Sequence, residues 1–183
     1  MASRAPAPDE LAKVQRFVNT LDIEGGSEQL QEPGDLLAFL RDEGFVTAEA
    51  RASADEHHRA LAVREALRAL MHTNHGEPAD TAAVALLNDA AERGRLVVCF
   101  DPDGKAALSP CRDGVDAAIG AMLAIVMRSM ESGTWDDLKT CLRESCQWAF
   151  YDRSKNHSSR WCSMEVCGSR EKAKSYRARH KNR

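Results

Sequence analysis

Residues 141–167 read CLRESCQWAFYDRSKNHSSRWCSMEVC, and this stretch decides how the C-terminal part of the chain folds. It holds two cysteine pairs of spacing C-x4-C, separated by fifteen residues. Each short loop presents two sulfur atoms on one side, and four thiolates suit the tetrahedral coordination of Zn²⁺. The pattern predicts one structural zinc ion, and its predicted ligands are Cys141, Cys146, Cys162 and Cys167.

The segment between the pairs has aromatic residues at both ends, Trp148 to Tyr151 and Trp161, and a polar centre. This composition predicts a short β-hairpin between the pairs. Gly168 and Ser169 then form a predicted helix cap before REKAKSYRARHK (170–181). The expected module is treble-clef-like. It consists of a first cysteine loop (a knuckle), a hairpin, a second knuckle and a helix. So small a unit buries little apolar surface, so the metal would supply much of its stability.

The four cysteines could instead form two disulfide bonds or remain as buried or unpaired thiols. Disulfides fit an exported protein, but the N-terminus MASRAPAPDELAK shows no apolar signal core. In a reducing cytosol, paired thiols are more often metal ligands than disulfides. We therefore expect a soluble cytoplasmic protein that binds zinc and has no membrane segment.

Charge is distributed unevenly along the chain. Residues 139–183 contain twelve of its 25 Lys and Arg but four of its 28 Asp and Glu, so a segment of charge +8 follows a body of −11. A basic cluster attracts a polyanion such as DNA. The alternative is a basic tail that docks on the acidic body or on a protein partner. The predicted DNA contacts are Arg160, Arg170, Lys172, Lys174, Arg177 and Arg179.

Several segments resemble a known family. RWCSM (160–164) and CGSR (167–170) are similar to the signature of CGNR-type zinc fingers. Such fingers terminate bacterial proteins with an ABATE domain, which are described as stress-induced transcription regulators. FVNTLD (17–22), VREALR (63–68) and LLN (86–88) resemble that domain. The resemblance implies a DNA-binding transcription regulator whose zinc ligands are the four cysteines named above.

One position departs from the family pattern. Ser169 stands where the naming motif has asparagine. Both side chains can cap a helix, so the fold is expected to be unaffected. If the asparagine contacts a base in other members, the sequence preference of this chain differs from theirs.

The fold class expected is mainly α, with a helical domain carrying one β-hairpin and a small four-cysteine module. We divide the chain into a disordered N-terminus (1–8), a helical domain (9–135) and the zinc finger with its basic helix (136–183). Apolar periodicity and capping residues predict six helices. The third is expected to begin after a cap at Thr47 and to continue through residues 61–71. The other five are expected over 9–22, 33–44, 80–94, 113–130 and 135–139. The β-hairpin pairs 96–100 with 105–109 around the turn Asp101-Pro102-Asp103-Gly104.

Other candidate residues in the body carry weaker signals. Cys99 and Cys111 do not face each other in the predicted hairpin, and we expect each to be a buried thiol. His72 and His75 have metal-ligand spacing. They also lie at the C-terminal end of a predicted helix, where the helix dipole favours positively charged side chains, so a structural role is the better interpretation. Asn19 and Arg64 could line a ligand pocket, although structural hydrogen bonds are the commoner role of such residues.

Enzymatic chemistry finds little support, because the sequence shows no phosphate-binding glycine loop and no HExxH motif. Four thiolates would also fill the coordination sphere of zinc. We therefore expect a zinc-containing DNA-binding regulator, not an enzyme, whose body senses a small-molecule effector or forms a homo-oligomer. A protein-interaction zinc module and a thiol–zinc redox switch are the alternatives.

Overall fold

The computed structural model describes residues 6–180, and most of that range is helical. The helices are α1 (Leu11–Val18), α2 (Pro33–Asp42), α3 (Ala54–His72), α4 (Thr81–Gly94), α5 (Val115–Glu131) and α6 (Ser169–His180). The antiparallel strand pairs are β1 (Leu21–Asp22) with β2 (Ser27–Glu28), β3 (Leu96–Phe100) with β4 (Ala106–Pro110), and β5 (Leu138–Thr140) with β6 (Ala149–Tyr151). The predicted mainly α fold class with a C-terminal four-cysteine cluster is confirmed. None of the helices within residues 6–180 has the length and apolar character needed to cross a membrane.

Local capping determines where the body helices begin. Pro33 lies in the first turn of α2, and the Asp80 side chain accepts bonds from two backbone N–H groups at the start of α4, as predicted. The cap expected at Thr47 is wrong. The next helix, α3, begins at residue 54 because the Ser53 side chain accepts the Glu56 N–H while the Glu56 carboxylate accepts the Ser53 N–H.

The hairpin β3–β4 forms in the body as predicted, with Gly104 of its turn at a φ of 77°, but its second strand lies one residue later than the predicted 105–109. Cys99 lies opposite Ala107 and not opposite Cys111. The expectation that both cysteines are buried is wrong, because both are exposed. The hairpin packs on α5 near its base, and its tip extends beyond the body.

The hairpin predicted between the cysteine pairs is replaced by a different pairing. β6 pairs with β5, a strand that precedes the first cysteine pair, so the knuckle 141–146 forms the turn between the strands. The helix predicted over 135–139 is a single 3-10 turn, Trp135–Asp137, followed directly by β5. The physical reason is burial: Leu138 and Ala149 are fully buried and pack in the core of the body. A strand pair lets both side chains reach that core while their backbone groups stay hydrogen-bonded.

One continuous hydrophobic core joins the helical body to this strand pair. The long helix α5 lies within it, with most of its circumference buried, as its apolar sequence predicts. The predicted module 136–183 therefore shares a core with the predicted domain 9–135. The largest side chains that are fully buried include Phe17, Leu30, Leu36, Leu40, Leu67, Met71, Met122 and Leu138.

The start of the chain is also partly attached to this core. Ala7 lies in the segment 1–8 that was expected to be disordered, but it is buried and its backbone N–H donates to the Gln15 side chain at 2.7 Å. Residues 1–5 of that segment lie outside the described residues.

Two glycines allow α4 and α5 to pack at close range. A Cβ atom on Gly94 would lie 2.8 Å from the Cα of Gly120 and 3.1 Å from the carbonyl oxygen of Asp116. Both neighbours are backbone atoms of α5 and cannot move without shifting the helix. The chain leaving α4 is thereby held against the centre of the core, which fixes where β3 begins.

We predict that Gly94→Ala lowers the free energy of unfolding by about 1–3 kcal/mol, because the added methyl group pushes α4 away from α5. Gly34→Ala is the matched control, since a Cβ there would meet no atom closer than 3.6 Å, and the helix gains about 0.4–1 kcal/mol. Urea unfolding followed by circular dichroism measures both. Equal stability of the two variants would contradict the close packing.

Candidate metal centre and basic helix

Four cysteine sulfur atoms come together beside the strand pair β5–β6. The sulfur atoms of Cys141, Cys146, Cys162 and Cys167 all lie within 4.8 Å of one another. Cys162 is half-buried and the other three are buried. Trp148 and Trp161 pack against them, and in the described part of the chain no histidine joins such a group.

The spacing of the sulfur atoms fits a tetrahedral ion. The Sγ of Cys162 lies 3.6 Å from that of Cys146 and 3.5 Å from that of Cys167. A tetrahedron with Zn–S bonds of about 2.3 Å places its sulfur atoms about 3.8 Å apart. A disulfide requires about 2.05 Å, and all four thiols are free. The donor set therefore fits zinc and excludes the disulfide alternative in this structure.

The backbone of each knuckle brings its two sulfur atoms to the same side. The N–H of Cys146 donates to the Arg143 carbonyl at 2.8 Å, and Gln147 follows with a left-handed φ of 48°. The two knuckles are joined by the Leu142 N–H, which donates to the Arg160 carbonyl at 3.0 Å. These bonds hold the donor atoms together through the backbone.

The thiols strongly influence one another's ionisation. Hydrogen bonds from Cys146 and Cys162 lower the pKa of the Cys141 thiol from 9.0 to about 4. The interactions with Cys141 and then Cys146 raise the pKa of Cys162. Neighbouring thiolates repel, so the cluster cannot carry four negative charges unless a cation compensates them. A divalent ion with strong affinity for sulfur would supply that compensation.

Comparison with known families agrees with this geometry. The family model described as "Putative stress-induced transcription regulator", named ABATE, matches residues 12–130. The model of the CGNR zinc finger matches residues 138–180 and thus includes all four cysteines. The chain belongs to the ABATE family. No curated protein shows a significant match to it.

The CGNR finger connects its last cysteine directly to the basic helix. Cys167 lies in a π-helical turn, Met164–Gly168, that runs straight into α6. The cap of this continuous helix is Ser163, whose side chain accepts the Val166 N–H at 3.3 Å, so the cap expected at residues 168–169 is wrong. The Ser169 hydroxyl instead donates to the Met164 carbonyl. A metal held by Cys167 would therefore fix the direction of α6.

All six predicted DNA contacts are exposed, as is every other residue of α6 apart from the half-exposed Glu171. Lys172 and Arg179 line a shallow groove of about 200 Å³ whose wall is Trp161. The Arg160 guanidinium lies 5.8 Å from the centre of the Trp161 ring. Basic groups therefore surround both the helix and the tryptophan beside its first turns.

One acidic residue of the ABATE domain touches the finger. The Glu24 carboxylate accepts bonds from Arg143 in the first knuckle and from Arg170 in the first turn of α6. The bond from Arg143 is the main reason why the pKa of Glu24 is lowered. Glu24 follows β1, in the turn that leads to β2, and joins the body to both halves of the finger.

The predicted ligand-binding residue Asn19 holds the finger to the body. Its side chain donates to the Ala149 carbonyl at 2.9 Å and accepts the Ala149 N–H at 2.8 Å. Both polar ends of the amide are thus used on one residue of β6. The contacts favour the structural interpretation of Asn19 over the ligand-binding one.

Arg64, the other predicted ligand-binding residue, is 3% exposed and makes two bonds of 2.7 Å to the Glu28 carboxylate. It also donates to the Thr20 hydroxyl at 3.1 Å. The guanidinium therefore attaches β2 to α3. These contacts too favour a structural role.

The histidines at the end of α3 bond to β5 of the finger, and within residues 6–180 neither belongs to a cluster of three or more metal-ligand side chains. His75 Nε2 lies 2.7 Å from the Thr140 carbonyl oxygen, and His72 Nδ1 lies 3.3 Å from the Thr140 hydroxyl. Burial lowers the pKa of His75. Asn74 adds bonds to the carbonyl groups of Trp135 and Leu138.

Sequence reasoning missed several residues that position the site. Glu24 acts on partners 119 and 146 positions away, so no local pattern identifies it. Arg68 likewise donates to the Gln147 carbonyl from α3. Asp152 pairs with the buried Lys139 at 3.0 Å. Burial alone would raise the pKa of Asp152, but bonds from Ser154, Lys139 and Ser159 together lower it.

We predict that metal analysis of the purified protein finds one zinc ion per chain and that Cys167→Ser lowers this content strongly. The double variant Cys99→Ser/Cys111→Ser removes two exposed thiols and is expected to retain full zinc. Inductively coupled plasma mass spectrometry measures all three proteins. Full zinc in the Cys167→Ser protein would show that the metal lies elsewhere.

We predict that Asn19→Ala lowers the free energy of unfolding by about 1–3 kcal/mol, because it leaves the buried N–H of Ala149 without a partner. Asn88→Ala, on the exposed side of α4, is the matched control and is expected to change stability by about 0.5 kcal/mol or less. Thermal and urea unfolding measure the difference. Equal changes in unfolding free energy for the two substitutions would show that Asn19 does not stabilise the contact between the finger and the body.

Proposed function

We propose that this ABATE-family protein is a zinc-containing DNA-binding transcription regulator whose CGNR finger contacts DNA through α6. Zinc has a structural role, holding the two knuckles together and aiming the helix. Arg160, Lys172 and Arg179 contact phosphates around the groove at Trp161, and one or two basic side chains read bases. The remaining proposed contacts are Arg170, Lys174 and Arg177.

The observation that carries this proposal is a helix with no buried residue. Within α6, five Lys and Arg accompany one Glu, and no apolar face packs on the body. A helix that is polar on all sides gains little from its own protein and is available to a charged partner. DNA supplies a row of phosphates with which such a surface is complementary.

Docking of the basic helix on the acidic body was the alternative use of this charge. In the described part of the chain, the body contacts α6 through the ion pair of Arg170 with Glu24. Lys172, Lys174 and Arg179 make no ion pair within that part. This ion pair supports a helix that is held at its first turn and presented outwards.

The proposal gives the ABATE domain the role of sensing an effector or forming an oligomer and thereby controlling the finger. A cavity of about 380 Å³ lies between α3 and the first knuckle, lined in part by Glu65, His72 and Leu142. A ligand there would touch both parts of the protein. Measuring the DNA affinity of the full chain with and without candidate effectors tests this role.

Fluorescence anisotropy with duplexes selected from a random pool tests DNA binding by the full chain. We expect affinity to fall as salt rises, because each phosphate contact releases a counterion. The triple variant Lys172→Gln/Lys174→Gln/Arg179→Gln is expected to bind at least about tenfold more weakly. Its salt slope is expected to be smaller by about one for each phosphate-binding side chain that the substitutions remove.

The control removes the same charge from exposed arginines of the body, in Arg41→Gln/Arg51→Gln/Arg93→Gln. We expect this protein to keep most of its affinity, because its substitutions lie outside the finger, residues 138–180. Native affinity in the triple α6 variant would reject the proposal. Binding that does not change with salt would favour a protein partner instead.

A further inference from the structure

The hairpin β3–β4 leaves an apolar strand edge without a partner in this chain. Val97, Val98 and Phe100 are 40%, 61% and 71% exposed, which is unusual for three neighbouring apolar side chains. Within residues 6–180 this sheet has two strands, so β3 pairs on one side alone. The feature plays no part in the metal site or the basic helix.

The hydrogen-bond pattern shows which backbone groups of β3 face outwards. The Asp101 N–H donates to the Lys105 carbonyl, and the Cys111 N–H donates to the Arg95 carbonyl. Bonded pairs alternate along an antiparallel ladder, so residues 97 and 99 also bond to β4. The N–H and C=O groups of Leu96, Val98 and Phe100 therefore point away from β4, towards the open edge.

The two edges of this hairpin differ in how they are protected. Pro110 places a residue without an N–H on the outer edge of β4, whereas both strands pack on α5. The strand β3 has the sequence LVVCF, with no proline, charge or bulge. Exposed strand edges are normally blocked by such features, since they otherwise recruit another strand.

We propose that this edge is a homodimer interface, in which β3 pairs antiparallel with β3 of a second copy about a twofold axis at Val98. The outward groups of residues 96, 98 and 100 are centred on Val98, so each copy offers the same pattern to the other. Val98 then bonds to its own symmetry mate, and Leu96 of each copy bonds to Phe100 of the other. The result is one four-stranded sheet.

Charge at the ends of the strand supports this partner and this direction. Arg95 precedes β3 and Asp101 follows it, and both are exposed. Antiparallel pairing brings the positive end of one strand next to the negative end of the other at both ends of the interface. A parallel arrangement would bring like charges together. The occupant that fits this edge is therefore another copy of the chain.

Sedimentation equilibrium of the full, zinc-loaded protein tests the dimer. Val98→Pro removes the outward N–H at the axis and leaves the β3–β4 ladder intact, so the dissociation constant is expected to rise at least about tenfold. The matched control is Ala106→Pro, whose N–H faces the opposite edge of the same hairpin and whose dimer is expected to be retained. A monomeric native protein, or a Val98→Pro protein that dimerises as well as the native one, would overturn the proposal.

Cross-linking tests the register independently, in case both proline variants disturb the hairpin. In a Cys99→Ser/Cys111→Ser background, Val98→Cys faces its own symmetry mate at a Cα separation of about 5.5 Å, which a disulfide can span. Val97→Cys faces residue 99 of the other copy and is expected to remain uncross-linked. Equal cross-linking of the two variants, or no cross-linking of Val98→Cys, rejects this axis. The inference does not depend on DNA binding, so failure of either proposal leaves the other standing.

Discussion

The pairing of β5 with β6 is the interaction on which the rest of the metal centre depends. Its strands bury Leu138 and Ala149 in the core of the ABATE domain, while the turn that connects them carries Cys141 and Cys146. Asn19 fixes the strand pair by bonding both backbone polar groups of one β6 residue. The first half of the metal site is therefore attached to the body through this strand pair.

The second half of the centre lies on the segment that leads into α6. Cys162 and Cys167 follow a loop organised around Asp152, and Cys167 lies in the π-helical turn that leads into α6. Because α6 buries no residue, its direction is set at its base by the cysteine cluster and by Glu24. A zinc ion held by the four cysteines would link the body to a charged helix that buries none of its own residues, an arrangement suited to presenting that helix to a polyanion.

The sequence predicted the elements whose determinants are local. The spacing of the four cysteines, the caps at Pro33 and Asp80, and the turn of β3–β4 are encoded within a few residues, and the structure contains them all. The incorrect predictions involve partners far apart in the chain. The β6 strand joined β5 and not the segment before Cys162, and both Cys99, near the hairpin tip, and Cys111, after β4 at the hairpin base, are exposed.

By itself, then, the sequence determined the fold class, the four-cysteine cluster and the uneven charge, because thiol spacing, helix periodicity and composition act over short distances. Tertiary structure alone decided that the finger shares a core with the body, that Asn19 and Arg64 make structural bonds, and that Glu24 reaches Arg143 and Arg170. Those contacts depend on which surfaces meet when α1, α3 and β6 pack together. Burial and hydrogen-bond satisfaction across the whole chain select that packing, and no local pattern records it.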